Sequence, residues 1–128
     1  MPKTTQLVLT LRSKTGVLAG ISRALADAKV NILSLSAAEA AGRGKIRIVV
    51  NKPTLAKRAL RKARVRFVEE VAFAKRLSNK PGALARITEK LAKARVNIKS
   101  AYATTAGRGG ATVVITVGNA AKARRLIG

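Results

Sequence analysis

Lys14-Thr15-Gly16-Val17-Leu18-Ala19 recurs as Lys80-Pro81-Gly82-Ala83-Leu84-Ala85, a shift of 66 positions from Gly16 to Gly82. At the same shift, Leu25-Ala26-Asp27-Ala28-Lys29-Val30-Asn31-Ile32 returns as Leu91-Ala92-Lys93-Ala94-Arg95-Val96-Asn97-Ile98. Ser34 and Ser100 follow in step, and Gly42-Arg43-Gly44 matches Gly107-Arg108-Gly109 after a one-residue slip. Common solenoid repeats run roughly 20 to 50 residues, so a period this long points to a whole small α/β unit, duplicated once. The expected domains are residues 1–69 and 70–128. A unit of about 60 residues buries only about 60% of its unfolded surface and is marginal alone, so the halves are expected to pack together.

Gln6 to Leu11 alternates apolar and polar residues and reads as a strand. A polar loop then leads into a helix, where Val17, Leu18, Ile21, Ala24, Leu25 and Ala28 fall on one face. Leu18, Ile21, Leu25 and their copies are read as core. Val30 to Leu35 is a second strand, and the Gly-Arg-Gly segments read as hairpin turns. Ile46, Ile48 and Val50 mark a third strand, Pro53 opens a second helix, and Val65-Arg66-Phe67-Val68 reads as a fourth strand. Each unit is therefore expected to be an α+β, ferredoxin-like βαββαβ arrangement, an antiparallel sheet with helices on one face. The second copy repeats this order to a last helix near Asn119 to Ile127, and lacks its last strand. Strand four is expected to run almost directly into the next first strand.

Apolar residues make up 48% of the chain, which suits a globular protein. No apolar run approaches the roughly 18 residues of a membrane span, and no secretory segment is read at the start, so a cytoplasmic protein without membrane contact is expected. Cysteine and histidine are absent, which removes disulfides and the commonest metal ligands and general bases. The five acids, Asp27, Glu39, Glu69, Glu70 and Glu89, are scattered, and no nucleophile-plus-base pattern or phosphate-binding glycine motif occurs. No catalysis, metal or cofactor is expected.

The paired Lys-x-Gly-x-Leu-Ala loops and Val-Asn-Ile strand starts resemble those of tandem ACT-domain proteins, over nearly the whole chain. The resemblance implies a stand-alone regulatory protein that binds a small effector, most often an amino acid, and works through interfaces between ACT units. The physics agrees, since unpaired N–H groups at a helix start suit a carboxylate, and Gly16 and Gly82 carry no Cβ to hold a ligand away. By the family's pattern, Lys14, Thr15, Gly16, Val17 and Leu18 would face Asn97 and Ile98 of a neighbouring unit, in the other half or another chain, while Lys80, Pro81, Gly82, Ala83 and Leu84 would face Asn31 and Ile32. The Asn79-Lys80-Pro81-Gly82 loop is the closer match to the family and the expected working site. The chain departs from the pattern where an acid often precedes the loop, because Ser13 and Asn79 stand there, and Thr15 replaces the first proline. A homodimer is expected. Gly16 and Gly82 also read as plain tight turns, and Asn31 and Asn97 as residues that satisfy local backbone groups.

A second reading comes from charge. The net charge is +22, from 27 basic and 5 acidic residues, which predicts attraction to polyanions. Lys57, Arg58, Arg61 and Lys62 share one helix face; Arg86, Lys90 and Lys93 form a stripe; and Lys122, Arg124 and Arg125 extend the theme. These residues make the alternative a basic module for nucleic-acid backbone or an acidic partner protein, and non-specific nucleic-acid affinity is expected at low salt. With only Phe67, Phe73 and Tyr102 as aromatics, a base-stacking sheet is disfavoured. Equally, such faces are often plain solvated helix exteriors, and the excess charge can reflect a basic background.

Overall fold

The computed structural model describes residues 1, 3–12, 14–78, 80–105 and 110–128. The elements run β1 (Lys3–Arg12), α1 (Val17–Asp27), β2 (Ile32–Ala40), β3 (Arg43–Val50), α2 (Pro53–Lys62), β4 (Val68–Ser78), α3 (Ala83–Lys93), β5 (Ile98–Thr105), β6 (Gly110–Val117) and α4 (Ala120–Ile127). Two compact units result, one of Thr5–Glu70, the other of Val71–Gly128 together with Met1–Thr4.

In the Thr5–Glu70 unit, β3 lies between β1 and β2, antiparallel to both, with Leu9 opposite Ile46 and Ala37 opposite the same residue. Period-two alternation sends Leu7, Leu9, Ile46, Ile48 and Val50 to one face. There they meet Ile21 and Leu25 of α1 and Ala56 and Leu60 of α2 in one buried cluster. Both helices thus cover the same face. Val68–Glu70, the start of β4, completes the unit beside β1, where Gln6 Nε2 donates to Glu70 Oε2 at 3.5 Å.

The other unit repeats the plan with β6 between β4 and β5. Phe73, Val113, Ile115 and Val117 pack against Leu91, Ala123 and Ile127. Among the described residues α4 is the last element of this unit, and Met1–Thr4 join it. Met1 is a member of its core, its backbone nitrogen donating to the Ile127 carbonyl. The Met1 amino group titrates below its ordinary value, through burial first and then the nearby charges of Lys75 and Lys90.

Three helix ends explain why strands begin later than the alternation suggests. After α1, α2 and α3 a basic residue takes the left-handed conformation: Lys29 (φ 60°), Arg64 (φ 59°) and Arg95 (φ 58°). The following valine then donates back into the helix, Val30 to Leu25, Val65 to Leu60 and Val96 to Leu91, each at 2.9 Å. This is a Schellman end whose apolar residue packs on the core. Val65-Arg66-Phe67 is consequently connecting chain, and the predicted fourth strand begins only at Val68, where it runs unbroken through Ser78 as β4. The first hairpin also differs from expectation. Its turn is Ala41-Gly42, with φ of 52° and 78°, and Arg43 and Gly44 already belong to β3. Two positive φ values are what a two-residue type I′ loop requires. The matching Gly107-Arg108-Gly109 lies outside the described residues.

Candidate functional site

Both glycine loops are built alike. The Val17 N–H donates to the Lys14 carbonyl at 3.3 Å, and the Ala83 N–H to the Lys80 carbonyl at 3.3 Å. Gly16 (φ 88°, ψ −4°) and Gly82 (φ 89°, ψ −12°) hold the third position of these turns. That is type II geometry, with Thr15 and Pro81 at the second position, where proline's fixed φ is favoured. An added Cβ at either glycine would meet nothing within 4 Å, so glycine is needed for its backbone conformation and not for space. Among the described residues, no side chain caps α1 or α3.

A cleft of about 190 Å³ opens beside the first loop, bounded by Lys14, Val17 and Leu18 on one side and by Ala37 to Glu39 on the other. Leu11, Gly44 and Ile46 lie on the same sheet face and form its floor. At about 30 Å³ per water this is room for roughly six waters, the scale of a small metabolite. Leu18 is 38% exposed and Leu84, its copy, 48%, so neither is core, contrary to the helical-period reading. Each stands in the first helical turn beside its glycine, before the helix settles on the sheet. Ile21, Leu25 and Leu91 are buried as predicted, and Ile87 packs at the margin of its core.

Glu39 is the residue that sequence reasoning passed over. It lines the cleft across from Lys14, 25 positions away in the chain, and its Oε1 accepts from the Gly42 N–H at 3.0 Å. Lys14 and Arg12 supply positive charge on the opposite rim. The cleft thus presents cations and the start of a helix against one carboxylate, over an apolar floor. Position 105, matching Glu39 in the second copy, holds threonine.

Lys80, Pro81, Gly82 and Leu84 are exposed and Ala83 is half-buried; Asn79 lies outside the described residues. Asn31 and Asn97 are exposed, and Ile32 and Ile98 are half-buried against their own cores. The Asn31 N–H donates to Asn51 Oδ1 at 2.8 Å, and its carbonyl accepts from the Asn51 N–H at 3.0 Å. Asn31 therefore already closes the end of the β2–β3 pair through its backbone. Within one unit, the loop and the Val-Asn-Ile segment flank opposite ends of α1, whose 11 residues span about 16 Å at 1.5 Å per residue. A unit does not bring its own two motifs together.

The basic residues fall into engaged and exposed sets. Lys57 Nζ is 2.9 Å from Glu69 Oε1, so its charge is engaged within the fold. Arg61 lies 5.3 Å from the centre of the Phe67 ring. Arg58, Lys62, Arg86, Lys90, Lys93, Arg124 and Arg125 are exposed, and Lys122 is half-buried. Among the described residues, no group of three or more acids could hold a metal, and no helix is long and apolar enough to cross a membrane.

Comparison with known proteins follows the same outline. Protein BT0572 from Bacteroides thetaiotaomicron superposes with a TM-score of 0.90 at 29% identity, covering 98% of this chain and 86% of that one. The ligand-free regulatory subunit of aspartate kinase from Thermus thermophilus gives 0.66 at 16% identity, covering 99% and 95%. Aspartokinase alpha and beta subunits give 0.61 at 18% identity, covering 99% and 95%. No curated protein matches the chain. The family model described as an ACT domain pair matches residues 3–128, and the chain belongs to that family.

Proposed function

We propose that the chain is a non-catalytic, cytoplasmic regulatory protein that senses a small zwitterionic carboxylate, an amino acid in the first instance. One observation carries the reading: in a single small cleft, Lys14 and the start of α1 stand opposite Glu39 across Leu11 and Ile46. The first pair suits a carboxylate and the acid suits an ammonium, while the floor suits a short apolar side chain. Membership of a family of paired ACT domains supports the sensing role. So does the overlap in fold with regulatory subunits of aspartate kinase.

In this reading the protein works as a homodimer. Asn97 and Ile98 of a second copy complete the Lys14–Leu18 loop, and Asn31 and Ile32 complete the Asn79–Leu84 loop. Ligand binding favours the assembled state by its differential affinity for it. The test is a thermal-shift panel of the twenty amino acids at two salt concentrations. A selective rise that survives doubled salt is expected, since a ligand at 100 times its Kd adds about 2.7 kcal/mol. A flat panel overturns the reading.

A further inference from the structure

The Thr5–Glu70 unit has a second and larger cleft, about 920 Å³, at the margin of the sheet where residues 65–67 leave α2 for β4. Four guanidinium-bearing residues line it: Arg43 at the start of β3, Arg61 in the last turn of α2, Arg64, and Arg66. All four are exposed. The chain's 27 cations divide almost evenly between lysine and arginine, yet every cation lining this cleft is arginine. Thr10 adds a hydroxyl, and Val8 and Phe67 add apolar surface. The one acid in the lining, Glu69, is already paired with Lys57 at 2.9 Å. Lys45, opposite Thr10 in the β1–β3 register, adds to the positive field on that side of the sheet.

Like charges gathered this way repel one another, and the one acid in the lining, Glu69, is shared with Lys57. Arginine's planar fork donates two parallel hydrogen bonds to phosphate oxygens, which a lysine ammonium does not. Packing also holds Arg61, and the helix end fixes the backbone at Arg64. Arg64 sits in the left-handed position that ends α2, and Arg61 lies over the Phe67 ring. In the second copy the position matching Arg61 holds Ile127. We propose that this cleft binds a small ligand bearing adjacent phosphates, of the nucleoside di- or triphosphate class. Four arginines line one recess, and this clustering favours a compact polyphosphate over an extended nucleic-acid backbone.

The experiment is calorimetric titration of the full chain with inorganic tripolyphosphate, inorganic phosphate and a single-stranded oligonucleotide, at 150 mM salt. Saturable binding of one tripolyphosphate per chain is expected, at least tenfold tighter than phosphate. The double variant Arg64→Asn with Arg66→Gln is expected to lose at least tenfold in affinity, asparagine being chosen because it tolerates a positive φ. Arg86→Gln with Lys90→Gln, two exposed cations of the other unit, is expected to stay within twofold. Equal loss in both double variants would mean general charge attraction and would overturn the proposal. So would an oligonucleotide that binds more tightly than tripolyphosphate, or tripolyphosphate binding that disappears at 150 mM salt. Melting curves of both variants, superimposable on the parent, guard against a folding artefact.

Discussion

Glu39 Oε1 accepts a hydrogen bond from the Gly42 N–H at 3.0 Å, which fastens the acid to its own hairpin turn at the mouth of the first-loop cleft. The contact uses one carboxylate oxygen and leaves the other on the rim of the cleft that Lys14 also lines. If Glu39 receives a ligand ammonium, Glu39→Gln should weaken binding of the preferred amino acid at least tenfold. Its affinity for the analogue lacking the amino group should barely change. Titrating both ligands into parent and variant checks this, and equal loss for both would assign Glu39 a role in the turn alone.

Gly44 offers a cleaner block of the same cleft. It lies on the floor, opposite Glu39 and Leu11 in the strand register, and an added Cβ would come no nearer than 3.9 Å to the Leu11 carbonyl oxygen. Gly44→Val should therefore leave melting behaviour close to the parent, β-branched residues being suited to strands. Amino-acid binding should be abolished. A variant that still bound normally would move the ligand out of this cleft.

The type II turns make opposite predictions at neighbouring positions. Gly16→Ala and Gly82→Ala each force an alanine to a φ near 88°, at about 1 to 2 kcal/mol. Thr15→Pro copies the Pro81 arrangement and should stabilise by about 0.4 to 1 kcal/mol, by restricting the unfolded chain. Urea unfolding curves resolve both effects. A destabilised Thr15→Pro would show that the two loops are not equivalent.

The duplication made the fold legible, because matched motifs 66 positions apart define one unit and its copy without reference to any contact. Local readings failed where a terminal motif imitates a strand. Val65-Arg66-Phe67-Val68 alternates like a strand, yet Val65 is the apolar residue that closes α2. Leu18 has the spacing of a core residue but sits one turn too early, at the cleft. Tertiary closure alone brings Glu39 to Lys14, and Arg43 to Arg61, Arg64 and Arg66, so no local pattern signals either grouping. The register of β2 on β3 could have suggested Glu39, since it places this residue opposite Gly44.

Burial separates the leucines that the sequence treats alike. Leu25, Leu60 and Leu91 are fully buried, and truncation of any one to alanine should cost about 2 to 5 kcal/mol. Leu18→Ala and Leu84→Ala should each stay within about 0.5 kcal/mol, as expected for exposed positions. Chemical denaturation of the five variants checks the division. A large loss at Leu18 without ligand would mean that the first turn of α1 is more buried than its exposure of 38% implies.

Met1–Thr4 belong to the unit of Val71–Gly128, although 66 residues of the other unit separate them in sequence. Met1 packs in the cluster of Phe73, Leu91 and Ile127, so removing residues 1–4 strips one core side chain and the first residues of a strand from that unit. Loss of a buried methionine side chain alone costs about 2 to 5 kcal/mol. The truncated chain should show faster amide exchange at Phe73, Leu91 and Ile127, while Leu9, Leu25 and Leu60 keep their protection. Hydrogen exchange read residue by residue makes the comparison directly. Equal deprotection of both sets would show that the first four residues support the whole chain and not the C-terminal unit in particular.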